Sequence, residues 1–193
     1  LTGLESLAGV PGTLGGALKM NAGAWGAEIS NYLVSVDIID SDGNFKTLRP
    51  YDLKFQYRTS SFNSHDFIIS AIFELKKSTE KKIKQKKKIA SLGRIKTQPL
   101  KYRSAGSVFK NPSPGLAAGF LIDKSGLKGT ICGEAEISTH HANFFINHGN
   151  AKARDIAHLI KLSRMSIFEQ FGIMLDLEIK TIGFENKELF PYD

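Results

Sequence analysis

At 193 residues, 41% of them hydrophobic, the chain is long enough to bury one good core or two small ones and is neither disordered nor fibrous. No apolar run reaches the ~20 residues of a bilayer span, no basic-then-apolar leader opens the chain, and the single Cys132 cannot close an internal disulfide, so the expectation is a cytoplasmic, reducing setting. The net charge of +7 suggests nucleic acid until it is located: eight lysines and one acid lie between Lys76 and Lys88, and outside that run basic and acidic residues balance.

The chain opens on its most informative segment. Gly9-Val10-Pro11-Gly12-Thr13-Leu14-Gly15-Gly16 continues through Met20-Asn21-Ala22-Gly23-Ala24-Trp25-Gly26, with six glycines and one proline in eighteen positions. Glycine at that density lets backbone approach a ligand closely, and bare N–H groups in successive turns make an anion-binding nest. The spacing is neither G-x-G-x-x-G nor G-x-x-x-x-G-K-[ST], so a different cradle is implied. The plainer alternative is two tight turns, at Val10-Pro11-Gly12-Thr13 and at Gly15-Gly16. Small residues persist to Gly26 without a hydrophobic period that would bury them, which favours the cradle. The chain begins at Leu1 and reaches this segment within ten residues, so residues that should precede it are expected to be absent.

Further on, Leu33 to Asp40 and Asn44 to Arg49 flank the turn signal Ser41-Asp42-Gly43 and predict a hairpin. Pro50-Tyr51-Asp52-Leu53 predicts a helical turn, and the apolar run Phe67 to Leu75 a well-buried strand. A lysine-rich helix is predicted from Thr79 to Leu92, ending at Gly93, with Ile83, Ile89 and Leu92 turned inward and its lysines on a solvated face. A nucleic-acid surface would interleave arginine or aromatic readers, and this run has neither, so no nucleic-acid partner is expected. Gln98-Pro99 breaks the pattern and divides the chain into residues 1–98 and 99–193.

The second part predicts a short helix from Ala117 to Lys124, strands near Ala135 to Ser138 and Asn143 to Asn147, and a strong helix from Asp155 to Phe171 capped by Gly172. A last strand, Met174 to Ile182, would carry Asp176, Glu178 and Lys180 on one face and Leu175, Leu177 and Ile179 on the other. The whole predicts an α+β fold.

Three places put polar groups where a neutral core would not want them. In Gln56-Tyr57-Arg58-Thr59-Ser60, an arginine between aromatics and hydroxyls suits carboxylate or phosphate recognition, or makes only a surface ion pair. In Ala105-Gly106-Ser107-Val108-Phe109-Lys110-Asn111-Pro112, small residues frame a serine ahead of two donors, without the G-x-S-x-G elbow of acyl transfer. Glu178 is a surface carboxylate if its face meets water, and a useful acid if a cleft desolvates it. Cys132, His140, His141 and His148 lie close in sequence but lack metal-ligand spacing, and adjacent histidines in a strand would point apart, so no metal is expected.

Taken in order, Gly3-Leu4-Glu5-Ser6-Leu7, the glycine-rich segment, Tyr57-Arg58-Thr59-Ser60, Ala105 to Pro112, Ala118-Gly119-Phe120-Leu121-Ile122-Asp123, Gly126-Leu127-Lys128-Gly129, His141-Ala142-Asn143-Phe144 and Leu177-Glu178-Ile179 resemble the UDP-N-acetylenolpyruvoylglucosamine reductases. These flavoenzymes make UDP-N-acetylmuramate for peptidoglycan. The resemblance implies residues 1–98 as the carboxyl-terminal part of an FAD-binding domain of the vanillyl-alcohol-oxidase-like type, and residues 99–193 as a smaller α+β substrate-binding domain whose last strand returns towards the active site.

By the same resemblance, Pro11, Gly12, Thr13, Gly15, Gly16, Asn21, Gly23 and Ala24 contact FAD. NADPH supplies the hydride, Arg58 and Glu178 stabilise the enol-like intermediate, and Ser107 donates the proton, helped by Lys110 or a similar donor. Lys110 and Asn111 contact the diphosphate of the UDP-sugar. The short connection from Arg58 to the Phe67 strand resembles the branch without a long tyrosine-bearing lid loop. The amino-terminal part of the flavin domain is expected to be missing. The competing expectations are a non-catalytic UDP-sugar-binding or interaction module without its flavin half, and another FAD oxidoreductase of related fold. Neither a nucleic acid nor a membrane is an expected partner.

Overall fold

Asp40 shows how local chemistry builds the first sheet. Its Oδ1 accepts from the N–H groups of Asp42 and Asn44, both at 2.9 Å, and Gly43 takes the left-handed φ of 82° that the turn needs. Lys46 pairs with the same carboxylate; that contact and the Asn44 N–H hold the Asp40 carboxyl down to a pKa of about 2. The predicted hairpin follows, with β3 (Leu33–Ile39) antiparallel to β4 (Phe45–Leu48), and a 3-10 turn over Pro50–Asp52. The computed structural model describes residues 1–189 and divides into two units, meeting at Gly93 and Arg94. That division falls inside a helix, ahead of the Gln98-Pro99 break.

In the first unit, the sheet order is β4-β3-β7, with β7 at Phe67–Phe73. Ahead of it come α1 (Leu14–Lys19) and two small hairpins, β1 (Gly23–Ala24) with β2 (Ala27–Glu28) and β5 (Phe55–Gln56) with β6 (Thr59–Ser60). Leu18 of α1 joins Ile29, Leu33, Val36, Ile38, Leu53 and Phe62 in one core. The strand predicted as well buried is not. β7 is an edge strand, and Phe67, Ile69 and Ile72 are 72%, 49% and 58% exposed while Ile68, Ala71 and Phe73 pack inward. Apolar residues on both faces do not bury both faces when only one is covered.

The lysine-rich helix α2 runs Glu80–Thr97, straight through Gly93. Gly93 is no cap: a Cβ there would lie 2.6 Å from the Trp25 indole, so the glycine marks a close approach and not a stop. Pro99 ends the helix instead. The inward face is also other than predicted. Ile83 is half-buried and Ala90 buried, but Ile89 and Leu92 stand in solvent.

In the second unit, β8 (Arg103–Ser107), β9 (Ile131–Cys132), β10 (Ala135–Ile137) and β11 (Phe144–Asn147) form an antiparallel sheet in the order β8-β11-β10-β9. Helices α3 (Ala118–Lys124) and α4 (Ala153–Phe171) share its core with Val108, Phe109, Phe145 and Leu175. Asp155 caps α4 by accepting from the Lys152 N–H at 2.8 Å, and Gly172 closes it at φ 67° with its N–H on Phe168 O. One prediction fails here. Met174 to Ile182 is not a regular strand: Leu177 alone bridges, to Phe109, before the short helix α5 (Asn186–Leu189). His140 and His141 lie in the loop between β10 and β11, between the two predicted strands.

Candidate functional site

The predicted site residues fall into two groups, one in each unit. In the first, Gly9 to Thr13 form an exposed loop, and Gly12 sits at φ 131° with nothing within 4 Å of where its Cβ would be. Thr13 caps α1, its Oγ1 accepting from Gly16 N at 3.1 Å, so Gly15 and Gly16 belong to a helix and not to a turn. Pro11 and Gly12 lie ahead of that cap in the loop; Gly23 and Ala24 form β1. Trp25 and Gly26, at φ 55° and 78°, make the two-residue turn to β2, a left-handed pair that matches strand twist but is costly for an indole-bearing residue.

Asn21 is fully buried at φ 44° and ties these pieces together. Its Nδ2 donates to Glu28 Oε2 at 2.7 Å and to Gln56 O at 3.1 Å. Both partners are acceptors, which fixes the amide orientation and leaves Oδ1 with no hydrogen bond among the described residues. Gln56 leads into the turn Tyr57-Arg58 between β5 and β6, where Arg58 takes φ 55°. A left-handed arginine is a strained residue, and such strain concentrates at functional positions. Its guanidinium lies 5.0 Å from the Tyr57 ring centroid, and a Cβ on Gly23 would sit 3.5 Å from its Nη1. Ser60 fastens the same hairpin to α1 by donating to Lys19 O at 2.6 Å. Arg58 is thus held against β1 of the glycine-rich segment.

The second group is organised around the end of β8. Gly106 takes φ 86°, and Ser107 follows, half-buried and paired in register with Phe144. Beyond Ser107 the strand has no regular partner, and an asparagine side chain replaces one. Asn143 Oδ1 accepts from Phe109 N at 2.9 Å and Asn143 Nδ2 donates to Phe109 O at 2.8 Å, while its backbone O accepts from Val108 N. On the other edge, Glu178 N donates to Val108 O and Lys110 N to Asp176 O, each at 2.8 Å. Residues far apart in sequence are so brought side by side: Glu178 pairs with the residue next to Ser107, and Lys110 lies two residues further along. Asn111 Oδ1 accepts from Ala118 N at 3.1 Å, satisfying the start of α3.

Three contributors escaped the sequence reading as functional supports. Asn143 clamps Phe109. Arg164 is fully buried on α4, donating from Nε to Leu175 O at 2.8 Å and from Nη1 to Leu189 O at 3.0 Å, with its guanidinium 6.0 Å from the Phe109 ring centroid. His141 packs edge-to-face on Phe144, and its Nδ1 accepts from Asn143 N at 3.2 Å. Burial pushes the His141 pKa below its ordinary value, with His140 and Lys128 adding to that, so the ring is neutral at pH 7. A charged residue inside the apolar stripe of α4 was the available sign of Arg164. Among the described residues no three His, Cys, Asp or Glu side chains gather for a metal. His140 Nε2 lies 2.9 Å from Lys96 O, and His148 Nε2 lies 2.6 Å from Glu136.

Residues 98–182 match the family model for the carboxyl-terminal domain of UDP-N-acetylenolpyruvoylglucosamine reductase. The reductase of Geobacillus kaustophilus is 45% identical over 186 residues, covering 96% of this chain and 61% of that protein. That of Rickettsia canadensis is 41% identical, covering 95% and 62%. The crystal structure of the Thermus caldophilus reductase superposes with a TM-score of 0.82 at 38% identity, over 93% of this chain and 64% of that one. The chain belongs to the UDP-N-acetylenolpyruvoylglucosamine reductase family. It spans about three fifths of the reductases it matches. Ser107, Lys110, Asn111, Asn143 and Glu178 all lie within the stretch matched by the reductase carboxyl-terminal domain. No helix among the described residues is long and apolar enough to cross a membrane.

Proposed function

We propose that this chain is the carboxyl-terminal portion of a cytoplasmic enzyme that uses FAD and NADPH to reduce the enolpyruvyl group of UDP-N-acetylglucosamine enolpyruvate to UDP-N-acetylmuramate for peptidoglycan. The observation that carries the proposal is the pairing at the end of β8, which sets Glu178 beside Val108, next to Ser107. In this reading residues 1–98 contribute to a flavin domain and residues 99–193 bind the substrate.

The segment from Gly9 to Gly26 suits one wall of a flat, phosphorylated cofactor. Its loop backbone is exposed, Gly12 and Gly26 leave open space where Cβ atoms would project, and Asn21 holds an unpartnered buried acceptor behind it. Pro11, Gly12, Thr13, Gly15, Gly16, Asn21, Gly23 and Ala24 would line that wall. FAD, when bound, carries hydride from NADPH to the enolpyruvyl double bond.

The chain's own residues handle charge and proton. Hydride addition leaves negative charge spread towards the substrate carboxylate, and the planar fork of Arg58 matches that group in two hydrogen bonds. Ser107 gives its hydroxyl proton to the adjacent carbon, a transfer open to so weak an acid because the acceptor is a strongly basic enolate. Glu178 helps to hold the enol-like species, and Lys110 with the Asn111 Nδ2 binds the diphosphate.

The test is stopped-flow kinetics on the intact enzyme with Ser107→Ala. Flavin reduction by NADPH should survive while substrate reduction slows by about two to four orders of magnitude. Equal loss in both half-reactions would remove Ser107 from the proton-transfer role. A colourless chain that still binds a UDP-sugar would favour the non-catalytic binding module.

A further inference from the structure

The lysine run takes no part in the reaction above, and its geometry carries a function of its own. All the lysines from Lys81 to Lys88 are exposed, and Lys76 and Lys77 stand just ahead of α2. At about 100° per residue, Lys81, Lys84 and Lys88 fall on the side of α2 opposite Ile83, Ala90 and Arg94. The same outward strip then continues through Ile89, Leu92 and Ile95, which are 64%, 53% and 63% exposed, and Lys96 lies among them. Three bare aliphatic side chains at helical spacing, continuous with the basic strip, exceed what a merely solvated face needs.

We propose that the outward face of α2 docks on an anionic lipid surface, the lysines meeting phosphate headgroups and Ile89, Leu92 and Ile95 entering the headgroup–acyl boundary. Charge complementarity selects this occupant: nearly all the chain's excess positive charge sits in and just before this helix, its only acid there, Glu80, already pairs with Lys84, and a bacterial leaflet is negative. A nucleic-acid reader would present arginine or aromatic groups, and the one arginine of α2, Arg94, is buried on the opposite side. Lack of a spanning segment does not bear on this, because such a helix lies in the plane of the surface.

The experiment is co-sedimentation of the intact enzyme, in which the part of the protein outside this chain is present, with vesicles of phosphatidylcholine containing about one third phosphatidylglycerol, against phosphatidylcholine alone, at low salt and at about 0.5 M salt. The enzyme should pellet with the anionic vesicles only, and high salt should release most of it. Lys81→Gln/Lys84→Gln/Lys88→Gln should lower the partition constant about a hundredfold, at roughly fivefold per lysine. Ile89→Ser/Leu92→Ser/Ile95→Ser should weaken binding while leaving its salt dependence. Both variants change exposed side chains, and an unchanged far-UV circular dichroism spectrum confirms their fold. Four results would overturn the proposal: no pelleting, equal pelleting with neutral lipid, displacement from vesicles by equimolar RNA, or a dimer in light scattering that the isoleucine–leucine variant dissolves.

Discussion

Asn143→Ala removes in one step both hydrogen bonds that substitute for a neighbouring strand at Phe109. Phe109 is fully buried, so its N–H and C=O cannot turn to water once the amide is gone. Each buried backbone group left unsatisfied costs about 1–3 kcal/mol, and the pair together about 2–5 kcal/mol. A domain of this size is stable by only about 5–15 kcal/mol, so the loss is a large fraction of the whole. With a urea slope of about 1–3 kcal/mol per molar, the midpoint of the second unit should fall by about 1–2 M. Far-UV circular dichroism is the right signal, because the single tryptophan, Trp25, belongs to the first unit. Asn143→Asp makes the comparison sharper. It keeps an acceptor for Phe109 N–H but turns a second carboxylate oxygen on Phe109 O, so it should be no milder than alanine. A midpoint within about 0.3 M of the parent for Asn143→Ala would refute the clamp, since that range corresponds to less than one ordinary hydrogen bond.

The strain at Arg58 predicts an inverted order of stability: Arg58→Gly should be more stable than Arg58→Ala by about 0.5–1.5 kcal/mol, because only glycine occupies φ 55° without cost, and equal or reversed melting temperatures would show the turn to be unstrained. His141 predicts a pH effect of definite sign. Its pKa is lowered by burial, so the unfolded chain binds the extra proton first and stability falls as pH drops below about 6.5, with a flat region above. Urea midpoints from pH 5 to 8 should show that slope, and His141→Gln should flatten it; an identical slope in the variant would assign it elsewhere.

The hairpin of β3 and β4 and the helix α4 were readable because their signals are local: Asp40 to Gly43 supplies its own turn bonds, and Gly172 its own cap. What misled was every feature whose meaning depends on a distant partner. Gly93 looks like punctuation until Trp25 is laid on it. The alternation of Leu175, Leu177 and Ile179 is that of a strand, but only one bridge forms, since Phe109 spends its own N–H and C=O on Asn143. Phe67 to Phe73 is apolar enough for two covered faces and has one. Ser107 and Glu178 were recognisable as residue types in order, whereas their adjacency rests on two backbone bonds that no spacing reveals.

The way Glu178 is held also sets an order of events during synthesis. The segment from Leu175 to Ile179 has no hairpin partner nearby in the chain; it is retained by Val108, Phe109 and Lys110 and by the buried Arg164, which grips Leu175 O and Leu189 O at once. Contacts so remote in sequence pay their loop-closure entropy before they gain anything, so the sheet β8-β11-β10-β9 and α4 can condense first and leave the carboxyl-terminal stretch to dock last. A ribosome-bound chain released short of Leu189 would then present a largely formed core whose serine has no glutamate beside it. The stretch that carries Glu178 is thus set in place after most of this unit's stability has already formed.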